Sequence, residues 1–236
     1  MCTPFTSLLT RYTPDIWDAM TNNPAASAGR SYHHGDLRHA LIAEGLARAR
    51  EGGPDAVSMR EITRAIGVSP NAAYRHFADR RDLIRAVAAE AQRAFGRAIH
   101  ARVAAAPQDL PHAEASIERL RRIGLAYIDF ARAERGWFAL AFAVQDEQPS
   151  TGIVTLDDEV VPPFQLLLDA LDAMTDAGAL DLDRRPYAEW ACWSAVHGFA
   201  DIAVNGPLQW QPEPVIDALA AAVVEAAITG IRGAPA

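Results

Sequence analysis

Apolar residues recur at spacings of three and four along most of the chain, which is the period of an amphipathic helix. No segment shows the strict alternation of apolar and polar residues that is typical of a half-buried strand. Glycine and proline interrupt the helical pattern, for example at Gly52-Gly53-Pro54 and at Asn205-Gly206-Pro207. The pattern therefore predicts an all-α fold, with helices near 36–50, 58–67, 70–77, 79–103, 113–133, 136–146, 159–177, 183–205 and 213–231.

Two short helices in the first third of the chain carry clear boundary signals. Ser58-Met59-Arg60-Glu61 has the spacing of a capping box, in which the serine and the glutamate satisfy each other's backbone donors. Gly67 can take the left-handed conformation that a sharp turn needs. Ser69-Pro70 then begins the next helix, with serine as N-cap and proline at the first helical position. This spacing is typical of a helix-turn-helix motif.

A helix-turn-helix motif has a defined geometry on DNA. Its first helix crosses the phosphate backbone, and its second helix enters the major groove with N-terminal residues at the base edges. Asn71 lies at that end and carries the amide that pairs bidentately with adenine. Tyr74 and His76 can donate to phosphates, and Arg80 adds charge where the next helix begins. Phe77 is expected in the core, which is also the competing interpretation for Tyr74.

The charge of the chain is divided unevenly. The 236 residues have a net charge of −8, with 22 basic residues that are all arginine. Residues 30–85 have a net charge of +3, whereas residues 86–236 have a net charge of −10. A basic module followed by an acidic body indicates two tasks, and only the first is suited to nucleic acid.

Several other functions find no support in the sequence. Half of the residues are apolar, which excludes a disordered chain. No uninterrupted apolar run approaches the ~18 residues that cross a bilayer, and no secretory signal is recognisable, so we expect a cytoplasmic protein without a membrane segment. The two cysteines, Cys2 and Cys192, form no zinc or disulfide pattern. We expect no metal at the histidines of 33–39 or at the acidic run 157–159, and no cofactor, because nucleotide-binding and hydrolase motifs are missing.

The segment 58–83, SMREITRAIGVSPNAAYRHFADRRDL, resembles the DNA-binding domain of TetR-family transcriptional regulators. The resemblance covers about residues 33–85 and includes Gly67-Val68-Ser69 and Tyr74-Arg75-His76-Phe77. It implies that bases are approached by Arg60, Pro70, Asn71 and Ala72, and that phosphates are held by Ser69, Tyr74, His76 and Arg80. Alanine at positions 72 and 73 departs from the threonine and leucine of many members, so Ala72 can offer bases only an apolar contact. Arg80 replaces the more usual lysine.

The second half of the chain shows a shorter resemblance. Residues 193–198, WSAVHG, resemble the WHG-type C-terminal domain of one branch of that family. The implied organisation is a mobile tail over 1–30, a DNA-binding domain over 31–82 and a ligand-binding and dimerisation domain over 83–236. Aromatic residues on three predicted helices either form a packed core or line an apolar ligand pocket with a few polar anchors. The candidate lining residues are Trp137, Phe138, Phe142, Trp193 and His197, with Arg132, Glu134 and Asp201 as unranked polar candidates.

The leading hypothesis is a homodimeric repressor that binds a palindromic operator in double-stranded DNA and is released by a small, largely apolar effector. Dimerisation is predicted through the helices at 183–205 and 213–231, where alanines allow close approach of two copies. One alternative is an all-α carrier or enzyme that uses the aromatic cavity, and another is a purely structural bundle. The chain offers no paired carboxylates and no nucleophile with a base at catalytic spacing for the enzyme alternative.

Overall fold

The computed structural model describes residues 34–143 and 161–233, and the regular structure of these residues is entirely helical. This confirms the all-α prediction. The predicted tail over 1–30, the loop near 148–152 and the acidic run 157–159 lie outside the described residues. The helices are α1 (His34–Gly52), α2 (Met59–Ala65), α3 (Pro70–Ala73), α4 (Arg80–Ala104), α5 (His112–Ala133), α6 (Arg135–Ala141), α7 (Pro163–Asp176), α8 (Ala188–Val204) and α9 (Glu213–Arg232).

The turn between α2 and α3 forms as the sequence predicts. Gly67 has a φ of +74°, the left-handed conformation that favours glycine. The Ser69 hydroxyl accepts a hydrogen bond from the Ala72 backbone N–H at 3.3 Å, and Pro70 is the first residue of α3. The first turn of α3 is therefore capped by its own sequence.

The capping box predicted at Ser58 is wrong. Ser58 precedes α2, but its side chain makes no cap hydrogen bond. Glu61, its expected partner, instead accepts from Arg48 of α1 at 3.2 Å, so an ion pair between helices takes the carboxylate away from the helix end. A reciprocal cap occurs at α4, where Asp79 accepts from the Asp82 N–H at 2.8 Å and Asp82 accepts from the Ala78 N–H at 3.1 Å.

Helix α3 is shorter than predicted. It ends at Ala73, and residues 74–76 form a turn. The N–H groups of Arg75 and His76 reach back three residues, to Ala72 and Ala73, which is the tighter spacing of a 3₁₀ turn. This turn brings Phe77 into the core, where it is 1% exposed.

Helix α4 is shared by the N-terminal helices and the rest of the molecule. Leu83 and Val87, in its first turns, are buried in the part of α4 that packs against α1. Phe95 and Ile99, further along, are buried where α5 and α6 pack against α4. Helix α1 also packs directly on α6. The N-terminal helices are thus fixed to the remainder through α1 and α4, and the domain boundary between 82 and 83 stays a prediction.

Helix α5 is the centre of the C-terminal part. It packs against α4, α7, α8 and α9, and α8 and α9 form an antiparallel pair beside it. Two predicted helices are shorter than expected: the one at 136–146 ends at Ala141, and the one at 183–205 begins at Ala188. The later start of α8 follows from Tyr187, whose φ of +67° interrupts a helical path.

Helix α9 has one buried face. Its buried residues recur every three or four positions, at Ile216, Ala220, Val224, Ile228 and Ile231. Averaged over 18 residues, its hydropathy of 1.7 would also suffice for a membrane span by length and composition. That average is weak evidence for a membrane, because the inner face of α9 packs on α5 and α8 as a core helix does.

Candidate DNA-binding surface and ligand pocket

The side chains predicted to meet DNA reach the surface around α2, α3 and the turn after α3. Tyr74 is 53% exposed, which removes the core interpretation for this ring. Ala72 and His76 are half-buried. The others are exposed: Arg60, Ser69, Pro70, Asn71 and Arg80. The structure therefore leaves these residues accessible, and their contacts with bases and phosphates stay predictions.

Helix α3 is held by one side only. Ala73 and Phe77 are buried, and the guanidinium of Arg38 lies 5.4 Å from the centre of the Phe77 ring, a cation–π contact. Asn71 and Tyr74 are on the exposed side of the same short element. Of the two alanines between them, Ala73 faces the core and Ala72 is half-buried, so only Ala72 is available for the predicted apolar contact with a base.

Arg80 has a role that the sequence did not reveal. Its Nε donates to the Val57 carbonyl and its Nη2 donates to the Pro54 carbonyl, both at 2.8 Å. These bonds tie the start of α4 to the segment between α1 and α2. Arg80 therefore stabilises the fold of the domain, and the Nη1 amino group and the second N–H of Nη2 are left for the predicted phosphate contact.

A pocket lies among α5, α7, α8 and α9. Its volume is about 440 Å³, including the part that is open to solvent. The lining is mainly apolar and consists of Leu120, Ile123, Gly124, Tyr127, Pro163, Leu167, Cys192, Trp193, Val196, His197, Val224, Ala227 and Ile228. Of the predicted ligand residues, Trp193 and His197 belong to this lining.

Phe138 and Phe142 lie behind the pocket instead of lining it. Their ring centres are 5.6 Å and 4.9 Å from that of His197, and they contact each other edge to face at 5.4 Å. They support the imidazole from the side of α6. Both alternatives therefore apply: Trp193 and His197 line the pocket, whereas Phe138 and Phe142 pack behind it.

Trp137 does not line the pocket, and its prediction as a ligand residue is wrong for this site. Its Nε1 donates to the Leu46 carbonyl of α1 at 2.8 Å. The guanidinium of Arg50 lies 5.2 Å from the centre of the Trp137 ring. The same guanidinium forms a bidentate ion pair with Glu134, at 2.6 and 2.7 Å. Sequence pattern could not separate Trp137 from Phe138, because adjacent residues on a helix face directions about 100° apart.

The other polar candidates also have partners outside the pocket. Glu134 is buried and bonded to Arg50, as described above. Arg132 forms an ion pair with Asp217 of α9 at 2.5 Å. Asp201 is exposed and accepts from Asn205 at 2.8 Å. None of these three is in the lining of the pocket.

Tyr127 is a pocket residue that was not among the predicted ligand residues. Its hydroxyl lies 2.7 Å from Nδ1 of His197, although 70 positions separate the two residues. Burial raises the pKa of Tyr127 well above its ordinary value, and burial lowers the pKa of His197 against a smaller opposite effect from Asp201. Both groups are therefore neutral near pH 7. The spacing of Leu120, Ile123 and Tyr127 on one helical face was a signal for the inward position of Tyr127.

Comparison with known proteins gives two family matches. Residues 41–87 match the model of bacterial regulatory proteins of the tetR family. Residues 120–227 match the model of the tetracyclin repressor-like C-terminal domain. Together they span about two thirds of the chain. A search of curated proteins finds no match.

Solved structures share the fold. A protein of unknown function from Rhodococcus sp. RHA1 is 26% identical with a TM-score of 0.65, over 87% of this chain and 100% of that one. A single-site variant of TetR from Acinetobacter baumannii AYE, in complex with minocycline, is 18% identical with a TM-score of 0.54. The match covers 83% of this chain and 98% of that one. RolR in complex with resorcinol is 19% identical with a TM-score of 0.53, and the match covers 86% of this chain and 95% of that one. With both domain models matched in order and the helix-turn-helix in place, this chain belongs to the TetR family of transcriptional regulators.

Proposed function

We propose that this chain is a cytoplasmic repressor that binds a palindromic operator as a homodimer and leaves it when a small, largely apolar effector occupies the pocket. The observation that carries the proposal is the exposed edge of α3, which presents Asn71 and Tyr74 while Ala73 and Phe77 anchor the helix in the core. A regulator of this kind carries out no reaction on its effector.

The chemistry of α3 suits one base contact and several phosphate contacts. The Asn71 amide can donate to and accept from adenine in the major groove. The Ser69 hydroxyl accepts the capping bond from Ala72, so its proton stays available for a phosphate. Tyr74 is exposed at the end of α3, where its hydroxyl can reach the same strand. These contacts divide into one that reads sequence and two that position the helix.

A second copy of the chain is the proposed partner of α8 and α9. Their outer sides expose large apolar residues, with Trp190 at 47%, Ile202 at 45%, Val215 at 43% and Leu219 at 39%. Small exposed residues lie between them, which allows close helix approach. Since two identical faces can pair about a two-fold axis, the dimer would present two α3 helices to two half-sites about 34–36 Å apart or a multiple of that.

Release by an effector is supported by the position of the pocket. Val224, Ala227 and Ile228 of α9 contribute to its wall, and α9 is one of the two helices proposed to form the dimer. A ligand between α5 and α9 would favour one separation of the subunits over another. Coupling of this kind is typically worth ~1–3 kcal/mol, which is enough to change operator occupancy.

The experiment that tests the repressor is footprinting on the DNA upstream of its own gene, with purified protein at low salt. We expect a protected two-fold symmetric site. Asn71→Ala should lose ~1–3 kcal/mol of discrimination at one base pair of each half-site. Tyr74→Phe should weaken binding to all DNA sequences about equally. Absence of any protected site would count against the proposal, and unchanged base preference in Asn71→Ala would refute the assignment of that residue.

A further inference from the structure

We infer that the pocket takes a neutral, mainly apolar molecule with one hydrogen-bond acceptor, such as a ketone or ether oxygen, which meets Nε2 of His197. This inference rests on the proposed function only in treating the pocket as an effector site. The class of ligand follows from the charge of the lining, the tautomer of His197 and the packing that holds its ring.

The lining contains no arginine, aspartate or glutamate. A ligand that carried a full charge would lose its hydration on binding and would meet no opposite charge among the described lining residues. The apolar wall contributed by α5, α7 and α9 favours a neutral body of aromatic or aliphatic character.

The tautomer of His197 is set by Tyr127. The Tyr127 side chain is only 3% exposed, so its hydroxyl proton must be donated within the protein. The acceptor that the described residues provide is Nδ1 of His197, 2.7 Å from the hydroxyl oxygen. Since the imidazole is neutral and Nδ1 accepts, the ring proton is on Nε2.

The polar groups that remain for a ligand are donors, apart from the lone pairs of the Tyr127 oxygen, whose proton is given to His197. Nε2–H of His197 is one, and the indole Nε1–H of Trp193, which can only donate, is another. The Cys192 thiol is a third and much weaker donor in the lining. A ligand oxygen or nitrogen that accepts a hydrogen bond satisfies these donors, whereas a ligand that offers only a donor leaves them unpaired.

The imidazole is held in place by two aromatic rings. The Trp193 ring is stacked on it at 5.6 Å and 11°, and Phe142 contacts it edge to face at 4.9 Å. Trp193 and His197 are four residues apart on α8, so the stack is built into one helix. Because the imidazole cannot turn without disturbing these contacts, Nε2–H is preorganised for an acceptor.

The test uses three probes of nearly the same shape: acetophenone, α-methylstyrene and benzoate. The first carries a carbonyl acceptor, the second a carbon in its place, and the third a charge. In ligand-observed NMR titrations of the full chain, we expect acetophenone to bind roughly threefold to tenfold more tightly than α-methylstyrene, which is the effect of one net hydrogen bond. Benzoate should bind at least roughly tenfold more weakly than acetophenone, because its charge is unpaired in the pocket.

Two variants locate the effect. His197→Phe keeps a ring of similar size but removes Nε2–H, so acetophenone and α-methylstyrene should bind with equal affinity. Tyr127→Phe removes the donor that fixes the tautomer, so the preference for acetophenone should fall below that of the wild type. Trp193→Phe is the matched control for ring packing and should retain a preference for acetophenone. Circular dichroism checks that each variant is folded.

Three results would overturn the inference: equal binding of acetophenone and α-methylstyrene to the wild type, tightest binding of benzoate, or a preference for acetophenone that persists in His197→Phe. Lack of acetophenone binding to the wild type up to the solubility limit of acetophenone would also overturn the inference. Operator binding is measured separately on each variant. A failure of the ligand series with intact DNA binding would reject the ligand class alone, whereas loss of DNA binding in the wild type would reject the proposed function.

Discussion

Gly136 lies at the closest approach of the N-terminal helices to the rest of the molecule, and Gly136→Ala is the sharpest test of this packing. A Cβ atom at this position would be 2.0 Å from the Ala49 carbonyl oxygen and 2.4 Å from that of Arg50. Both are backbone atoms of α1, so no side chain can rotate away. Helix α6 must separate from α1 by more than 1 Å before the added Cβ atom and the Ala49 oxygen reach ordinary van der Waals contact, which begins at 3.4 Å.

The cost of this separation follows from what it breaks. Trp137 Nε1 donates to the Leu46 carbonyl at 2.8 Å, and a displacement of about 1 Å places the two atoms outside hydrogen-bond range. Overpacking of this kind costs ~1–3 kcal/mol, and a lost neutral hydrogen bond adds ~1 kcal/mol. The bidentate pair of Arg50 with Glu134 would stretch as well, although half of the Arg50 side chain is exposed and its contribution is screened. We expect Gly136→Ala to lower the free energy of unfolding by about 2–4 kcal/mol.

The measurement is urea unfolding followed by circular dichroism, with Gly230→Ala as the matched control. A Cβ atom at Gly230 meets nothing within 4 Å, and the residue is in the last turns of α9. Alanine is the better helix former, so this variant should be unchanged or slightly more stable, by up to ~1 kcal/mol. Gly136→Ala as stable as the wild type would show that α1 and α6 do not approach each other this closely.

Three further predictions concern the cap, the dimer and the thiol. Ser69→Ala removes the acceptor for the Ala72 N–H and should lower the free energy of unfolding in urea by ~1 kcal/mol. Ser69→Asp keeps a cap acceptor, so it should retain that stability but weaken binding to DNA by charge repulsion. Leu219→Glu changes a side chain that is 39% exposed in the monomer, so sedimentation should show loss of the dimer, by roughly tenfold or more in affinity, without loss of helical signal. Burial raises the pKa of Cys192 to about 11. In a Cys2→Ala background at pH 8, iodoacetamide should therefore alkylate the folded protein about 100-fold more slowly than the protein unfolded in urea. Equal rates would contradict the burial of Cys192.

The helix-turn-helix could be predicted from the sequence because its signals are local. Gly67, Ser69 and Pro70 determine a turn, a cap and a helix start through their own backbone preferences, and neighbours further along the chain do not change them. Ser58 shows the limit of such signals. The Glu61 carboxylate that would accept from the Ser58 N–H is engaged by Arg48 from another helix, and that N–H donates to the Ala56 carbonyl instead. A local pattern fails where a distant residue competes for the same group.

The pocket could be predicted only in part because its members come from four helices. The clustering of aromatic residues made Trp193 and His197 candidate pocket residues, but periodicity within α8 says nothing about which residue of α5 meets them. Tyr127 and His197 are joined by the packing of α5 against α8, and the tautomer of His197 depends on that pair. The chemistry of the pocket is therefore a tertiary property, whereas the chemistry of α3 is present in the sequence.

Helix α6 lies between α1 and the pocket residues of α5 and α8, because its adjacent aromatic residues face different partners. Phe138 contacts Tyr127 edge to face at 5.9 Å and lies 5.6 Å from His197, while Trp137 is bonded to the Leu46 carbonyl of α1. We expect this helix of seven residues to move as one body, so that a ligand that shifts Tyr127 or His197 would displace Phe138 and, with it, the contact of Trp137 to α1. Helix α1 in turn packs on α2 and α3, which present the predicted DNA contacts. Gly136→Ala disturbs the same connection from the side of α1, so its effect should extend beyond stability to the affinity for the operator.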